Sequence, residues 1–387
     1  MERKTGEYVE GSLSGSHYQA FVPQALPPEP ALVYAPTLIV QLERANQALG
    51  RLDGITLMLP DPALFLYQYV RKEALLSSQI EGTRSSLSDL LLYELAEAPG
   101  VPIDDVEEVS NYVAALAHGL KRLREDDFPL SLRLIREIHG VLLRGGRGAS
   151  KDPGEFRTSQ NWIGGKSPAL AGFVPPPPGR LAECLRAFES FLHTDRDAMP
   201  PLIKAALAHV QFETIHPFND GNGRVGRLLI ALILCTEGVL REPSLYLSLY
   251  FKTRRQQYYE QLDAVRRTGN WENWLLFFLQ GVETTSQQAV DTAQRILTLF
   301  GADREKVRRL GRRAGNALQV FEQFVRRPIL DAPTIHKTLG VSAPTVRSAI
   351  AALHDLGLLN EITGQRRNRI WIYQSYYALL SEGAAPL

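Results

Sequence analysis

Over most of the chain, apolar residues recur at the spacing of three and four that places them on one face of a helix. This pattern holds from 37 to 118, with a break around Glu81 and Gly82, and then returns in segments divided by short polar breaks. The segments from 104 onwards predict helices over 104–122, 130–143, 181–193, 201–212, 225–235, 246–266, 271–296, 316–325, 332–339 and 344–356. The chain is therefore predicted to be mainly α.

Three regions depart from the helical pattern. The first 35 residues are rich in Gly, Ser and Pro, which predicts an extended arm laid over a domain. Residues 145–180 hold many Gly and Pro, with β-type runs at 161–163 and 172–174 that predict a small hairpin. Near the end, runs at 358–362 and 369–373 predict two strands after the last helices. The order helix, helix, turn, helix, β-hairpin is that of a winged helix-turn-helix.

Composition is that of an ordinary soluble protein, since 44% of the 387 residues are hydrophobic and 22% are charged. That length allows two or three domains. No apolar run reaches the roughly 18–20 residues that span a bilayer, and the N-terminus lacks the apolar segment of a signal peptide. We therefore expect a cytoplasmic protein with no membrane partner. Cys184 and Cys235 lie in apolar helical stretches and are expected to be buried spectator thiols.

Charge is distributed unevenly along the chain. The formal net charge is only +1, so total charge indicates neither a nucleic-acid nor a membrane partner. From Gly301 onwards, however, 13 Lys and Arg stand against 7 Asp and Glu. The C-terminal region is therefore expected to form a basic module. The stretch from Arg304 to Arg313 that leads into it is interpreted as a linker helix or as a solvated charged face.

The candidate chemistry is concentrated in one loop and the residues that follow it. The loop is His216, Pro217, Phe218, Asn219, Asp220, Gly221, Asn222, Gly223 and Arg224, followed by Arg227. The two glycines let successive backbone N–H groups face one concavity. The apolar run 228–234 behind it predicts a buried helix, so the concavity lies at a helix N-terminus. Two arginines there oppose the helix dipole by roughly 0.3–1 kcal/mol each, which makes sense if an anionic di- or triphosphate binds between them.

Three further side chains of the loop have suitable chemistry. Asp220 is a carboxylate that can hold Mg2+ against phosphate oxygens. His216 is an imidazole that can take a proton near neutral pH, as a general base must. Phe218 is apolar and is expected to plug into the core and pin the loop. A glycine-rich turn that merely caps a helix is disfavoured, because acid, imidazole, glycines and arginines occur together. The residues support nucleotidyl or phosphoryl transfer without distinguishing the two.

The segment from His216 to Arg227 resembles the full signature of the Fic family, HPFx[D/E]GNGRxxR, without departure. Residues 154–157 and 161–165 resemble the family's flap hairpin, which pairs with the target segment by strand addition. The resemblance implies a mainly α fold with a Fic-type helical core, a small β-hairpin flap and a C-terminal winged helix. On this basis the expected parts are an N-terminal arm and helices (1–110), a Fic core (111–285), a linker helix (286–315) and a winged helix-turn-helix (316–387).

The resemblance implies protein AMPylation, in which AMP from ATP is joined to a Tyr, Thr or Ser hydroxyl of a target protein. His216 would be the general base and Asp220 the Mg2+ ligand. The phosphates would be bound by Gly221, Asn222, Gly223, Arg224 and Arg227. Arg224 would contact the β-phosphate and Arg227 the γ-phosphate. Flap residues Asn161, Ile163 and Gly164 would contact the target.

The residues that would contact the nucleotide base are the hardest part of the site to identify from the sequence. Tyr258 or Tyr259 are candidates for stacking on adenine, although aromatic residues at helical spacing more often belong to the core, which is the interpretation favoured. A donor other than ATP, such as UTP or CTP, stays open.

The segment from Ser77 to Gly82, which contains Glu81, resembles the family's inhibitory motif, [S/T]xxxE[G/N]. A Glu81 carboxylate paired with Arg227 would take the place of the γ-phosphate and misalign the α-phosphate. A misplacement of about 1 Å can cost on the order of 100-fold in rate. An alternative role for Glu81 is to position water for removal of AMP from a modified target.

The C-terminal region raises a second class of function. Ser342, Thr345 and Arg347 would begin a recognition helix, and Arg366, Arg367 and Arg369 would meet backbone phosphate from the wing. A DNA-binding regulator with a sensor-like Fic core is therefore an alternative to the transferase, as is a de-AMPylating hydrolase. Winged helices also bind proteins or dimerise, so a homodimer stays open.

Overall fold

The computed structural model describes residues 3–13, 15–58, 62–95, 103–145, 148–195 and 198–386. Its helices are α1 (Pro36–Met58), α2 (Pro62–Ile80), α3 (Leu87–Tyr93), α4 (Ile103–Arg124), α5 (Leu132–Leu142), α6 (Pro178–Leu192), α7 (Pro201–Ile215), α8 (Asn222–Thr236), α9 (Ser248–Thr253), α10 (Arg255–Thr268), α11 (Trp271–Arg308), α12 (Ala314–Arg326), α13 (Ala332–Leu339), α14 (Ala343–Asp355) and α15 (Gln374–Ser381). Its strands are β1 (Gly6–Leu13), β2 (Ser16–Pro23), β3 (Ile329–Asp331), β4 (Asn360–Glu361) and β5 (Ile370–Ile372).

The predicted mainly α fold is confirmed, and most predicted helices are present within a few residues of their expected ends. The break expected after α2 is a turn at Glu81 and Gly82. The helix predicted over 246–266 is divided into α9 and α10 at Arg254. In contrast, α11 continues to Arg308, so the basic stretch begins inside a long helix that also spans the predicted end of the core.

The first residues are more regular than the expected extended arm. β1 and β2 form an antiparallel hairpin, with Gly6 opposite Pro23 and Leu13 opposite Ser16. The hairpin does lie over the rest of the protein, because the Phe21 N–H donates to Val174 O at 2.8 Å. The predicted flap hairpin is present as a single antiparallel bridge between Ile163 and Phe173.

The core is centred on α7 and α8. Every residue of α7 from 202 to 215 is buried, as is every residue of α8 from 225 to 234. A helix that is buried on all sides must be surrounded by other elements of the fold. The indole of Trp274 on α11 donates to the Ala206 carbonyl at 2.9 Å and ties the two helices together. The loop between α7 and α8 therefore starts and ends on rigid elements.

The C-terminal region packs α12, α13 and α14 against a three-stranded sheet in the order β3-β5-β4. β3 is an addition to the two predicted strands, and it pairs antiparallel with β5. α15 was not predicted; it packs on α11, where the rings of Phe300 and Tyr376 meet edge-on at 4.8 Å. Cys184 is buried as expected, whereas Cys235 is only half-buried. No helix in the described part of the chain is long and apolar enough to cross a bilayer.

Candidate nucleotide site

The loop of the candidate site reverses direction at both ends. His216 closes α7 in the left-handed conformation (φ 49°), and its N–H donates to Phe212 O at 2.9 Å. Gly221 is also left-handed (φ 76°) and precedes the first turn of α8. The Val225 N–H donates to Gly221 O at 3.0 Å and begins the helix ladder. The N–H groups of the first turn before it are therefore free to face an anion at the helix N-terminus.

Asn222 closes the loop from inside. Its Oδ1 accepts from the Phe218 N–H at 2.8 Å, and its Nδ2 donates to the Phe218 O at 2.8 Å. Phe218 is completely buried, as predicted, and its ring stacks on the His139 ring at 3.7 Å. Both bonds go to the backbone of Phe218, so the Asn222 side chain is used to close the loop.

His139 on α5 also supports the loop, through hydrogen bonds at both ring nitrogens. The Gly154 N–H can only donate, so the His139 Nδ1 at 2.9 Å must be its acceptor. The other nitrogen, Nε2, then carries the proton and donates to the Asp220 carbonyl at 3.0 Å. Burial, with the help of the Arg224 charge, lowers the pKa of His139 to about 4. The ring is therefore neutral at pH 7, in one tautomer.

Arg157 and Asn161, which precede the Ile163–Phe173 bridge in sequence, also hold the loop. The buried Arg157 guanidinium donates to His216 O at 3.0 Å and to Pro176 O at 2.5 Å. The Asn161 Nδ2 donates to His216 O at 3.1 Å and to Phe218 O at 2.9 Å. The sequence predicts that Asn161, like Ile163 and Gly164, contacts the target protein. Its amide is used to brace the loop, whereas the Gly164 backbone at the flap turn is exposed.

His216 is held in its neutral form. Burial, together with the Arg266 and Arg157 charges, lowers its pKa to about 3. Its Nδ1 is buried and has no hydrogen-bond partner in the described part of the chain. A neutral imidazole has a free lone pair that can accept a proton. A pKa of about 3 makes it a weak base, so the negative charge of bound phosphates would have to raise that pKa for efficient proton transfer. The left-handed conformation that supports this placement is uncommon for a residue other than glycine and is found more often at functional sites.

Arg224 and Asp220 lie at the outer edge of the loop. The Arg224 side chain is 5% exposed and lies 3.3 Å from a Glu108 carboxylate oxygen and 3.4 Å from Asp220 Oδ1. Asp220 is 41% exposed at its side chain, and Oδ1 also accepts from the Gly221 N–H at 2.6 Å. Among the described residues, no three His, Cys, Asp or Glu side chains cluster to hold a metal. Asp220 is thus a single carboxylate, which suits Mg2+ when phosphate and water supply the other oxygens.

Arg227 is bound by the last turn of α2 and by the turn that follows it. Its Nε donates to Ser77 Oγ at 2.8 Å, and its Nη2 donates to Ser77 O at 3.0 Å and to Glu81 Oε1 at 2.7 Å. A Cβ placed on Gly223 would lie only 2.3 Å from Glu81 Oε1. The Glu81 carboxylate therefore occupies the space over the first turn of α8. Burial alone would raise the pKa of Glu81, but Arg227, Arg224 and His216 lower it, so the pair is charged.

Two buried acids beside Arg227 were not anticipated. Burial raises the pKa of Glu73 to about 7, against the opposing effect of its bonds to Ser248. Burial also raises the pKa of Glu213 to about 7, against the attraction of Arg227. Glu213 Oε1 has no hydrogen-bond partner among the described residues. No local pattern marks either residue, because each contact joins segments that are distant in sequence.

Most predicted site residues come together around the N-terminus of α8. His216, Asp220, the two glycines, Asn222 and both arginines share that end, and Glu81 and Ser77 reach it from α2. The two tyrosines differ. Tyr258 is in the core, where its hydroxyl bonds His209 at 2.8 Å, so it is not available to a base. Tyr259 is 42% exposed, contrary to the core interpretation.

A helix N-terminus with open N–H groups, two arginines and a neutral histidine defines the class of site, which is one for a phosphorylated ligand. Residues 39–121 match the family model described as Fic/DOC family N-terminal, and residues 129–234 match the Fic/DOC family model. These two matches cover the segment 77–82 and the whole loop. The chain therefore contains a Fic N-terminal region and a Fic domain.

Curated relatives and solved structures agree with this assignment. The protein adenylyltransferase Fic of Aedes aegypti is 33% identical over 210 residues, which is 53% of this chain and 39% of that protein. The Culex quinquefasciatus protein of the same name is 31% identical over 210 residues, with the same shares of the two chains. This chain therefore spans about two fifths of the length of these relatives.

Two solved structures show the same fold. A Fic family protein from Desulfovibrio desulfuricans G20 has a TM-score of 0.58 at 19% identity and covers 88% of this chain and 97% of its own. Fic-1 from C. elegans has a TM-score of 0.52 at 23% identity and covers 68% of this chain and 75% of its own.

Proposed function

We propose that the protein is an adenylyltransferase that moves AMP from ATP to a Tyr, Thr or Ser hydroxyl of a target protein. The observation that carries this proposal is the anion site at the N-terminus of α8, with a neutral His216 beside it. The names of the relatives, protein adenylyltransferase Fic, support the same reaction class. The donor is ATP, and the product released with the modified target is pyrophosphate.

The residues suit an in-line transfer. The target hydroxyl oxygen attacks the α-phosphorus while its proton passes to the His216 imidazole. The bond from that phosphorus to the bridging oxygen breaks, and pyrophosphate leaves with both electrons. The N–H groups of the first turn of α8, together with Arg224, stabilise charge on the phosphates. Asp220 would hold Mg2+, which when bound neutralises phosphate charge.

The resting enzyme is proposed to be autoinhibited. Glu81 Oε1 binds the Arg227 guanidinium at 2.7 Å and lies over Gly223, where the phosphates of ATP would bind. A carboxylate and a γ-phosphate compete for the same donors. Ser77 fixes the other edge of the guanidinium, so Arg227 has little freedom to serve both anions. Activity is therefore expected to rise when Glu81 is removed.

Intact-mass analysis after incubation with each nucleoside triphosphate and Mg2+ tests the proposal. The Glu81→Gly variant should gain about 329 Da per AMP on itself or on an added target, faster than wild type. His216→Ala in the same background is the matched control and should gain nothing. Equal AMP incorporation by wild type and Glu81→Gly would refute the inhibitory role of Glu81. AMP incorporation by the His216→Ala protein would refute the role of His216 as general base.

A hydrolase reaction at the same site is the alternative that Glu81 itself allows. A carboxylate near the α-phosphate can orient water as well as exclude ATP. Pre-labelled target incubated without ATP distinguishes the two. Loss of AMP with wild type but not with Glu81→Gly would favour the hydrolase.

A second proposed activity is DNA binding by the C-terminal region. A groove of about 680 Å3 lies between α14 and the β4–β5 connection, and its basic lining consists of Arg347, Arg366, Arg367 and Arg369. These arginines are exposed, as phosphate-binding residues must be. The helix order and the β4–β5 pair support a winged helix. Duplex DNA should bind with an affinity that falls steeply with salt, and Arg366→Ala with Arg367→Ala should reduce the salt dependence. Absence of binding at low salt would refute this activity.

A further inference from the structure

The turn that carries Glu81 is attached to a segment more than 300 residues away in sequence. Residues 382–386, which we call the strap, leave the end of α15 and cross to α2 and α9. Gln79 is the contact point on α2, only two residues before Glu81. Its Nε2 donates to Ala384 O at 3.0 Å and to Ser85 O at 2.9 Å. One side chain thus joins the last turn of α2, the segment after the turn and the strap.

Lys252 on α9 completes the connection. Its Nζ donates to Gln79 Oε1 at 2.6 Å and also to the carbonyl of Ala385. Both side chains are buried, with Gln79 2% and Lys252 4% exposed. A buried ammonium needs acceptors in fixed positions, because burying an unpaired ammonium costs more free energy than burying an unpaired neutral polar group. The strap supplies one of these acceptors from its backbone.

The strap is itself anchored on three sides. Glu382 forms two ion-pair contacts with Arg295 on α11, at 2.7 and 2.8 Å. Gly383 is left-handed (φ 75°) and lies against Leu249, where a Cβ would come within 2.9 Å of Cδ1. Ala384 is 3% exposed. The strap therefore runs along the surface from α15 and buries only Ala384, at the point where it meets Gln79.

We propose that the strap holds the end of α2 in place, so that Gln79 and Lys252 are positioning residues for the Glu81–Arg227 pair. Glu81 can leave Arg227 by rotation of its side chain, which is 39% exposed, or by movement of the turn of 81–82 relative to α8, and the strap acts on the second route. Three backbone hydrogen bonds hold that turn, from Glu81 and Thr83 to Ser78 O and from Gly82 to Gln79 O. A three-bond turn at a helix end frays easily, since helix termini are the least protected part of a helix. The bonds of Gln79 to Ser85 and to the strap oppose that fraying.

This inference rests on the proposed autoinhibition, but part of it can be tested without enzyme activity. Two variants release the strap in different ways. A chain ending at Glu382 lacks both acceptor carbonyls and keeps the Arg295 contact. Lys252→Met keeps the whole chain and removes the ammonium that joins Gln79 to Ala385. Lys337→Met, at an exposed position of α13, is the matched control.

Hydrogen exchange of the peptide covering 76–86 is the first measurement. The truncation loses one neutral and one charged hydrogen bond, and Lys252→Met loses both bonds of its ammonium. Each change should speed exchange at the amides of 81–83 on the order of 10- to 1,000-fold. Amides in α7 and α8 should be unchanged, which separates local release from global unfolding. Lys337→Met should exchange like wild type. Unchanged exchange in both strap variants would overturn the proposal.

AMP incorporation is the second measurement. Each strap variant should label faster than wild type, and neither should add to the labelling of Glu81→Gly when the changes are combined. An equal increase in the Glu81→Gly background would also overturn the proposal, because the strap would then act on something other than Glu81. If Glu81→Gly incorporates no nucleotide at all, the proposed function fails, and the exchange measurement still decides whether the strap holds the turn.

Discussion

Replacing His139 by phenylalanine removes two hydrogen bonds under the loop and keeps an aromatic ring against Phe218. The lost bonds are those to the Gly154 N–H and to the Asp220 carbonyl. A single bond of this kind contributes about 1 kcal/mol, and an unpaired buried group left behind costs about 1–3 kcal/mol. His139 is completely buried, so water cannot replace it easily. At pH 7.5 we expect His139→Phe to lower the free energy of unfolding by about 2–4 kcal/mol.

The same substitution should matter less in acid. The pKa of His139 is about 4 in the folded protein, against about 6.5 when unfolded. Between these values the unfolded chain binds more protons, so the stability present above pH 6.5 is lost as the pH falls. At pH 5.0 His139 alone should cost the wild type about 2 kcal/mol. Phenylalanine does not titrate, so the difference between variant and wild type should narrow by that amount.

Thermal unfolding of both proteins at pH 7.5 and pH 5.0 measures this difference. For a cooperative unit of 150–250 residues, the size range of the expected Fic core, Tm shifts by roughly 2–4 °C per kcal/mol. The Tm deficit of His139→Phe should therefore shrink by roughly 4–8 °C between the two pH values. Other histidines titrate in both proteins and cancel. His17→Phe, at an exposed position in the β1–β2 hairpin, should show no deficit at either pH. An equal deficit of His139→Phe at both pH values would refute the assignment of a neutral, hydrogen-bonded ring.

Three further substitutions test the packing of the loop. Asn222→Asp keeps the acceptor for the Phe218 N–H but sets a carboxylate against the Phe218 carbonyl, so Tm should fall by more than for Asn222→Ala. Gly226→Ala places a Cβ 2.4 Å from Glu213 Oε1 and should cost about 1–3 kcal/mol in thermal unfolding, unless Glu213→Ala is also present. Arg157→Lys cannot reach carbonyls on several segments at once, so its Tm should fall while circular dichroism stays that of wild type; an unchanged Tm would contradict this role.

The chemistry of the loop could be predicted from sequence because it is local. Glycines on either side of Asn222 and the apolar run after Arg227 determine the turn, the helix start and its polarity within a few residues. The burial of Phe218 follows from the same reasoning. The placement of Glu81 beside Arg227 spans 146 positions. Only the family resemblance predicted it, since nothing in either segment specifies the other.

The supporting residues were missed for a related reason. His139 and Arg157 act through backbone groups of distant segments, and a backbone carbonyl has no signature in the sequence. For the β1–β2 hairpin the sequence predicts only an extended arm, because its many Gly and Ser residues hide the alternation of its strands. β3 is only three residues long, which is too short for any periodicity to be seen.

The burial of Arg227 explains why the proposed inhibition by a paired carboxylate lowers the stability of the fold so little. Its side chain is only 2% exposed, and a guanidinium at that depth needs an anion nearby. Glu213 and Glu73 face it, but burial raises the pKa of each to about 7, so neither is a full counter-charge at neutral pH. Glu81 supplies the charge when no nucleotide is bound, and a γ-phosphate would supply it when ATP is bound. In the proposed autoinhibition, the inhibited and the ATP-bound states would each give this buried cation an anion. The firmness with which the turn after α2 is held would then contribute to the balance between the two states.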